Sequence, residues 1–203
     1  MIAIIDYGIG NLRSIERALQ HVSDHVVRTD NPETILQAQR LILPGVGAFG
    51  ACIEEVRKRQ LEQPILDAVA RKIPFLGVCV GMQMLFETSS ELGIHAGLGL
   101  MKGHIRELSP PDSALKVPHM GWNIVKPLCQ NVLFDGIPDH AYCYFAHSFY
   151  ATENDPNDVI ASTEYGEELP VAFASDHVYG VQFHPEKSHN IGLRILSNFA
   201  TLA

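Results

Sequence analysis

The sequence predicts an α/β fold: an open, doubly wound mixed sheet with a parallel core and an antiparallel extension, formed by residues 1–203 as a single domain. Three observations predict it. Short apolar runs alternate with helical periodicity through the first half, which is the pattern of parallel strands joined by right-handed crossovers. After about residue 99 the texture changes to closely spaced strand-like runs with turn residues between them. At 203 residues, with 46% hydrophobic and 19% charged composition, the chain carries enough apolar material for one full core.

The parallel strands are expected at 2–5, 25–29, 41–43 and 75–78, with helices over 12–22 and 49–71 and the longer helical stretch broken at Pro64. The first of these runs has no basic flank and no small-residue cleavage site, so it reads as a strand rather than a signal peptide. A helical run covers 82–87. Strand-like runs follow at 105–108, 123–126, 142–151, 159–163, 171–174 and 178–183, and a closing helix over 191–202 starts near Ser188 or His189. No apolar run is long enough to span a bilayer.

Composition excludes several function classes. The net charge is −8, from 15 Lys+Arg against 23 Asp+Glu, and no basic run stands out, so a phosphate backbone would be repelled on average. The four cysteines, Cys52, Cys79, Cys129 and Cys143, have no paired short spacing, which argues against a zinc ribbon or a disulfide framework and fits a reducing cytoplasm. His119 and His147 lack metal-ligand spacing and read as satisfied structural histidines. Neither a metal nor a cofactor is called for.

One cysteine has a distinctive setting. Gly77-Val78-Cys79-Val80-Gly81 lies between an apolar strand and a helical run, with small residues two places either side of Cys79. A strand, sharp turn, helix arrangement of this kind exposes a nucleophile on a strained backbone, and free N–H groups at the turn favour the thiolate. A lone cysteine is more often simple packing, and for the other three that reading stands. For Cys79 a base and an orienting acid are available at the end of another apolar run, in Gly180-Val181-Gln182-Phe183-His184-Pro185-Glu186. With Pro185 fixing the backbone between them, Glu186 can hold one nitrogen of His184 while the other faces the thiol. Cys79, His184 and Glu186 together predict nucleophilic catalysis.

Pro44-Gly45-Val46-Gly47 follows the third strand and so falls at the same carboxyl edge of the sheet as Cys79. The backbone amides of Val46 and of Val80, the residue after the nucleophile, are the expected oxyanion donors. Gly45, Gly47 and Gly50 also match dinucleotide-fingerprint spacing. That reading fails because Pro44 stiffens the turn, the motif follows the third strand rather than the first, and the next strand end carries Cys79 instead of a ribose-binding carboxylate.

The Pro44-to-Gly47 loop, the elbow followed by Met82-Gln83, and His184-Pro185-Glu186 resemble the class I glutamine amidotransferases. More narrowly, four segments in order are similar to the glutaminase subunits of imidazole glycerol phosphate synthases: Asp6-Tyr7-Gly8-Ile9-Gly10-Asn11, Pro118-His119-Met120-Gly121-Trp122-Asn123, Tyr144-Phe145-Ala146-His147-Ser148 and Pro185-Glu186-Lys187-Ser188. The likeness covers essentially the whole chain. One departure is Val80, where the wider family's elbow has leucine; a backbone role tolerates the exchange.

The resemblance implies a glutaminase that passes ammonia to a separate (β/α)8-barrel cyclase subunit, HisF, in a heterodimer of histidine biosynthesis. By matching position, Gln83 and Glu91 would contact the amino-acid end of glutamine, and Gly47, Ser148 and Phe149 would line its pocket. Trp122, Tyr144 and Lys187 would face the partner, residue types that anchor interfaces, although on sequence alone Trp122 reads more readily as buried core. The two glycines of the 44–47 loop make a peptide flip accessible, so the free chain is expected to be a poor glutaminase that partner docking switches on. The rival readings are a glutaminase serving another synthase, a docking subunit with a silent triad, and a general cysteine peptidase.

Overall fold

The structure is a computed structural model that describes residues 1–152 and 155–202. In chain order its elements are β1 (Ile2–Ile5), α1 (Leu12–Gln20), β2 (Val26–Thr29), α2 (Pro32–Gln37), β3 (Arg40–Gly45), α3 (Phe49–Lys58), α4 (Glu62–Ala70), β4 (Phe75–Cys79) and α5 (Val80–Gln83). There follow β5 (Thr88–Ser89), β6 (His95–Ala96), β7 (His104–Glu107), β8 (His119–Pro127), β9 (Ala141–His147), β10 (Phe149–Thr152), β11 (Val159–Glu164), β12 (Glu168–Ser175), β13 (Val178–Val181) and α6 (His189–Ala200).

Nine strands form the main sheet in the order β2-β1-β3-β4-β13-β12-β11-β8-β9. The pairs from β2 to β13 are parallel and the rest antiparallel, so the mixed α/β sheet has the parallel core and antiparallel extension read from sequence. The parallel centre reads as continuous apolar runs because helices cover both faces: every residue of β1, β4 and β13 is buried. β9 alternates instead. Ala141, Cys143, Phe145 and His147 point inward, while Tyr142, Tyr144 and Ala146 face outward beside β8. Among the described residues no helix is long and apolar enough to cross a membrane.

Four local expectations need correction. The helical stretch 49–71 is broken, but not at Pro64, which sits in the first turn of α4 where a missing N–H costs nothing. The break comes earlier, at Gln60, whose φ of +58° ends α3 and starts the turn into α4. The run 142–151 is not one strand. β9 belongs to the main sheet and β10 to a second sheet of order β10-β7-β5-β6, with the switch at Ser148. The run 82–87 yields a helix of only four residues at 80–83, followed by turns, so a helix macrodipole adds little to the elbow. Finally, α2 has no counterpart among the expected helices; Asn31 caps it by accepting from the backbone of Glu33 and Thr34, with Pro32 at its first position.

Candidate active site

The parallel register brings the sequence motifs together. β3, β4 and β13 are neighbours, with Gly45 opposite Cys79 and Val78 opposite Val181, so the loop after β3, the elbow after β4 and the chain after β13 leave the same sheet edge side by side. Cys79 ends its strand at φ +56° and ψ −116°, the strained geometry of a nucleophile elbow. The flanking glycines are demanded by close approach. A Cβ on Gly81 would lie 1.8 Å from the carbonyl oxygen of Leu43, and one on Gly77 would lie 2.7 Å from that of Gly81.

β13 ends at Val181, two residues earlier than the apolar run, and the backbone N–H of His184 is then held by the carbonyl of Tyr144 in β9 at 2.8 Å. Ser188 ties the same segment down: its hydroxyl donates to the His184 carbonyl at 2.7 Å and accepts from the Tyr144 N–H at 3.0 Å. On this frame Nδ1 of His184 lies 2.9 Å from Oε1 of Glu186, and both side chains are nearly excluded from water. Burial alone would depress the imidazole. Hydrogen bonds to the Cys79 sulfur and the Glu186 carboxylate, together with their charges, outweigh it and push His184 up to about 10. That shift favours the imidazolium form of His184 at neutral pH.

A cavity of about 410 Å³ opens over this pair, lined by Val46, Gly47, Cys79, Val80, Gln83, Glu91, Ser148, Phe149 and His184 among others. Glu186 is absent from the lining because it sits behind His184. Two of the expected substrate contacts have structural commitments of their own. Both amide hydrogens of Gln83 are used, one to the Phe149 carbonyl at 3.0 Å and one to Oε1 of Gln182 at 3.1 Å, so only its carbonyl oxygen is left for a ligand. Oε2 of Glu91 accepts from the Phe49 N–H at 2.6 Å, fastening the loop after β5 to the start of α3.

Sequence reasoning missed one residue here. Gln182 is fully buried and its Nε2 lies 3.8 Å from the Cys79 sulfur, linking Cys79 to Gln83; the signal was a polar residue inside an apolar run. His147 and His119, read from sequence as satisfied structural histidines, form a buried hydrogen-bonded chain. Asn123 Nδ2 donates to His119 Nε2 at 3.2 Å, which leaves His119 Nδ1 to donate to His147 Nε2 at 3.0 Å and His147 Nδ1 to donate to the Phe149 carbonyl at 2.9 Å. His119 is also sandwiched between the rings of Phe145 and Tyr165. Burial keeps both imidazoles neutral, pulling His119 down to about 4 and His147 to about 3.

The three residues expected to face a partner cluster beside the cavity mouth. Trp122 is 46% exposed and so is not core; its ring stacks on His189 at 5.0 Å and meets Tyr144 edge-on at 6.0 Å. Nζ of Lys187 lies 5.4 Å from the centre of the Tyr144 ring. Lys187 and exposed Met120 also line the cavity, so this aromatic and cationic patch runs into the site without a break.

Comparison with known proteins gives a consistent result. The family described as Glutamine amidotransferase class-I matches residues 3–202. The chain is 53% identical to the imidazole glycerol phosphate synthase subunit HisH of Salinibacter ruber, covering 100% of this chain and 94% of that protein. It is 45% identical to the subunit of the same name from Methanocaldococcus jannaschii, covering 100% of both. Among solved structures, one described as a crystal structure of glutamine amidotransferase superposes with a TM-score of 0.76 at 17% identity over 98% of this chain and 99% of that one. PurLQS from Thermotoga maritima gives 0.74 at 18% identity over 98% and 96%. At those identities the structural likeness carries the fold alone.

Proposed function

From the premise that this chain belongs to the class I glutamine amidotransferases, and among them to the HisH subunits of imidazole glycerol phosphate synthase, we infer that it hydrolyses glutamine to glutamate and ammonia through Cys79, His184 and Glu186. The observation that carries the assignment is the His184 imidazole held at 2.9 Å by buried Glu186 and lining the same cavity as Cys79. The thiolate attacks the side-chain amide carbon of glutamine, and the N–H groups of Val46 and Val80 receive the developing oxyanion. As the C–N bond breaks, the His184 imidazolium gives its proton to the leaving nitrogen, releasing ammonia and leaving a glutamyl thioester. Neutral His184 then takes a proton from water. The resulting hydroxide attacks the thioester carbon, the C–S bond breaks, and glutamate leaves with the thiolate–imidazolium pair restored.

Glutamine is positioned by the carbonyl oxygen of Gln83 and the carboxylate of Glu91 at its amino-acid end, against Gly47 and the backbone of Ser148 and Phe149. Ammonia passes to a (β/α)8-barrel cyclase partner, HisF, which makes imidazole glycerol phosphate and aminoimidazole carboxamide ribotide in the cytoplasmic pathway to histidine. The partner docks on Trp122, Tyr144 and Lys187, a reading supported by the continuity of that patch with the cavity mouth. Residues 1–203 act as one glutaminase domain, and the hydrolysis needs no cofactor.

The deciding experiment is glutamate release from labelled glutamine by the wild-type chain and by Cys79→Ala, with and without the cyclase partner and its phosphorylated ribulosyl substrate. Loss of release in a folded Cys79→Ala protein is expected, as is labelling of Cys79 by an electrophilic glutamine analogue. Wild-type rates in the variant would sink the assignment.

A further inference from the structure

Behind the oxyanion loop, two buried side chains hold alternate backbone carbonyls. The Tyr7 hydroxyl donates to the carbonyl of Pro44 at 2.8 Å, and the Cys52 thiol donates to the carbonyl of Val46 at 3.3 Å. Both side chains are fully buried, they touch each other, and neither lines the cavity. Burial pushes the hydroxyl and the thiol above their ordinary values, so each keeps its proton and stays a donor through neutral pH.

Each carbonyl fixes one peptide plane. Tyr7 fixes the plane between Pro44 and Gly45, and Cys52 fixes the plane between Val46 and Gly47. The plane between them joins Gly45 to Val46 and carries the N–H assigned to the oxyanion. Among the described residues no side chain bonds its carbonyl. Opposed rotations of ψ at Gly45 and φ at Val46 turn this one plane while both neighbours stay pinned. The site has no tolerance for a side chain at the pivot, since a Cβ on Gly45 would lie 2.5 Å from the backbone nitrogen of Gly81.

The geometry points to Tyr7 and Cys52 as positioning residues that clamp the two peptide planes flanking Gly45–Val46, so that the orientation of the oxyanion donor depends on a single rotatable plane. The inference rests on the glutaminase reading and adds a role for two side chains that never touch glutamine. Without either clamp one flanking peptide plane loses its side-chain hydrogen bond, although Pro44 and Gly45 keep their places in the β3–β4 ladder; the loop samples more orientations, and the donor is less well organised when negative charge develops. The ground-state pocket is left as it was.

The test compares Tyr7→Phe, Cys52→Ala and Cys52→Ser with wild type in the complex with the cyclase partner, saturated with its phosphorylated ribulosyl substrate. Active sites are counted by titrating Cys79 with an electrophilic glutamine analogue. Losing one neutral hydrogen bond predicts a kcat for glutamate release lower by roughly two- to tenfold in Tyr7→Phe and Cys52→Ala, with KM for glutamine within about twofold and kcat restored in Cys52→Ser. An unchanged kcat per titrated site in both deletions overturns the clamp. So does a rise in KM at constant kcat, or a loss that serine fails to restore, because packing alone would then account for Cys52. If Cys52→Ala does not fold, Tyr7→Phe decides, since phenylalanine keeps the ring. A wild-type complex that releases no glutamate defeats the glutaminase reading itself, whereas an active wild type with unaffected variants defeats only the clamp.

Discussion

Replacing His147 by asparagine should remove about 2 kcal/mol of acid sensitivity from this fold. In the wild type, burial pulls His147 down to about 3, against about 6.5 in the unfolded chain. A folded value below the unfolded one means that the contribution is fully present above about pH 6.5 and is lost as pH falls toward 3, because the unfolded chain takes up the proton first. Between pH 7.5 and 5 the unfolded histidine gains nearly one full proton and the folded one almost none, which at 1.36 kcal/mol per unit costs about 2 kcal/mol. His119, pulled down to about 4, acts in the same direction. His184 acts in the opposite one: raised to about 10, its contribution is fully present below about pH 6.5 and fades as pH rises toward 10, so over this range acid strengthens it by about 1 kcal/mol. That gain is common to both proteins and cancels in their difference. Asparagine keeps a donor where Nδ1 stood and cannot titrate, so the Phe149 carbonyl retains its partner while the proton-linked cost disappears. The assay is urea unfolding followed by far-ultraviolet circular dichroism at both pH values. Wild type should be the more stable at pH 7.5, and its advantage should shrink by about 2 kcal/mol at pH 5. An advantage of equal size at both would refute a buried neutral His147.

Further outcomes follow from the same geometry. Removing His184 should lower kcat for glutamate release by more than Glu186→Gln does, because the imidazole transfers both protons while the carboxylate orients it; steady-state kinetics showing equal and negligible losses would remove both from the mechanism. Gly81→Ala should inactivate the enzyme and destabilise it by roughly 3 kcal/mol, since the new methyl carbon meets the Leu43 carbonyl at 1.8 Å and backbone on both sides must shift; a thermal melt matching wild type would contradict the packing of the elbow. Lys187→Ala and Trp122→Ala should weaken stimulation of glutamate release by the cyclase partner at least threefold while leaving circular dichroism unchanged, and full stimulation in both would move the docking surface elsewhere.

What the sequence determined by itself was local or periodic. Apolar runs of strand length separated by helical periodicity committed the first half to parallel strands, and the buried β1, β4 and β13 carry that pattern because helices cover both their faces. Gly77-Val78-Cys79-Val80-Gly81 and His184-Pro185-Glu186 were legible because each encodes its geometry within a few residues: a turn too tight for a Cβ, and a proline that lets an imidazole and a carboxylate two places apart meet at 2.9 Å. Tertiary structure decided everything that depends on sequence-distant groups competing for the same buried space. Parallel register alone sets Gly45 against Cys79 and so brings the 44–47 loop beside Cys79. Gln182 reaches the Cys79 sulfur, His119 reaches His147, and Tyr7 and Cys52 reach the loop carbonyls only because burial leaves each polar atom no water to bond and the fold supplies one partner within range. The division of 142–151 at Ser148 has the same origin. Its residue types suit one long strand, but β9 and β10 find their hydrogen-bonding neighbours in different sheets, β9 on β8 and β10 on β7, and no pattern within the segment records which neighbours those will be.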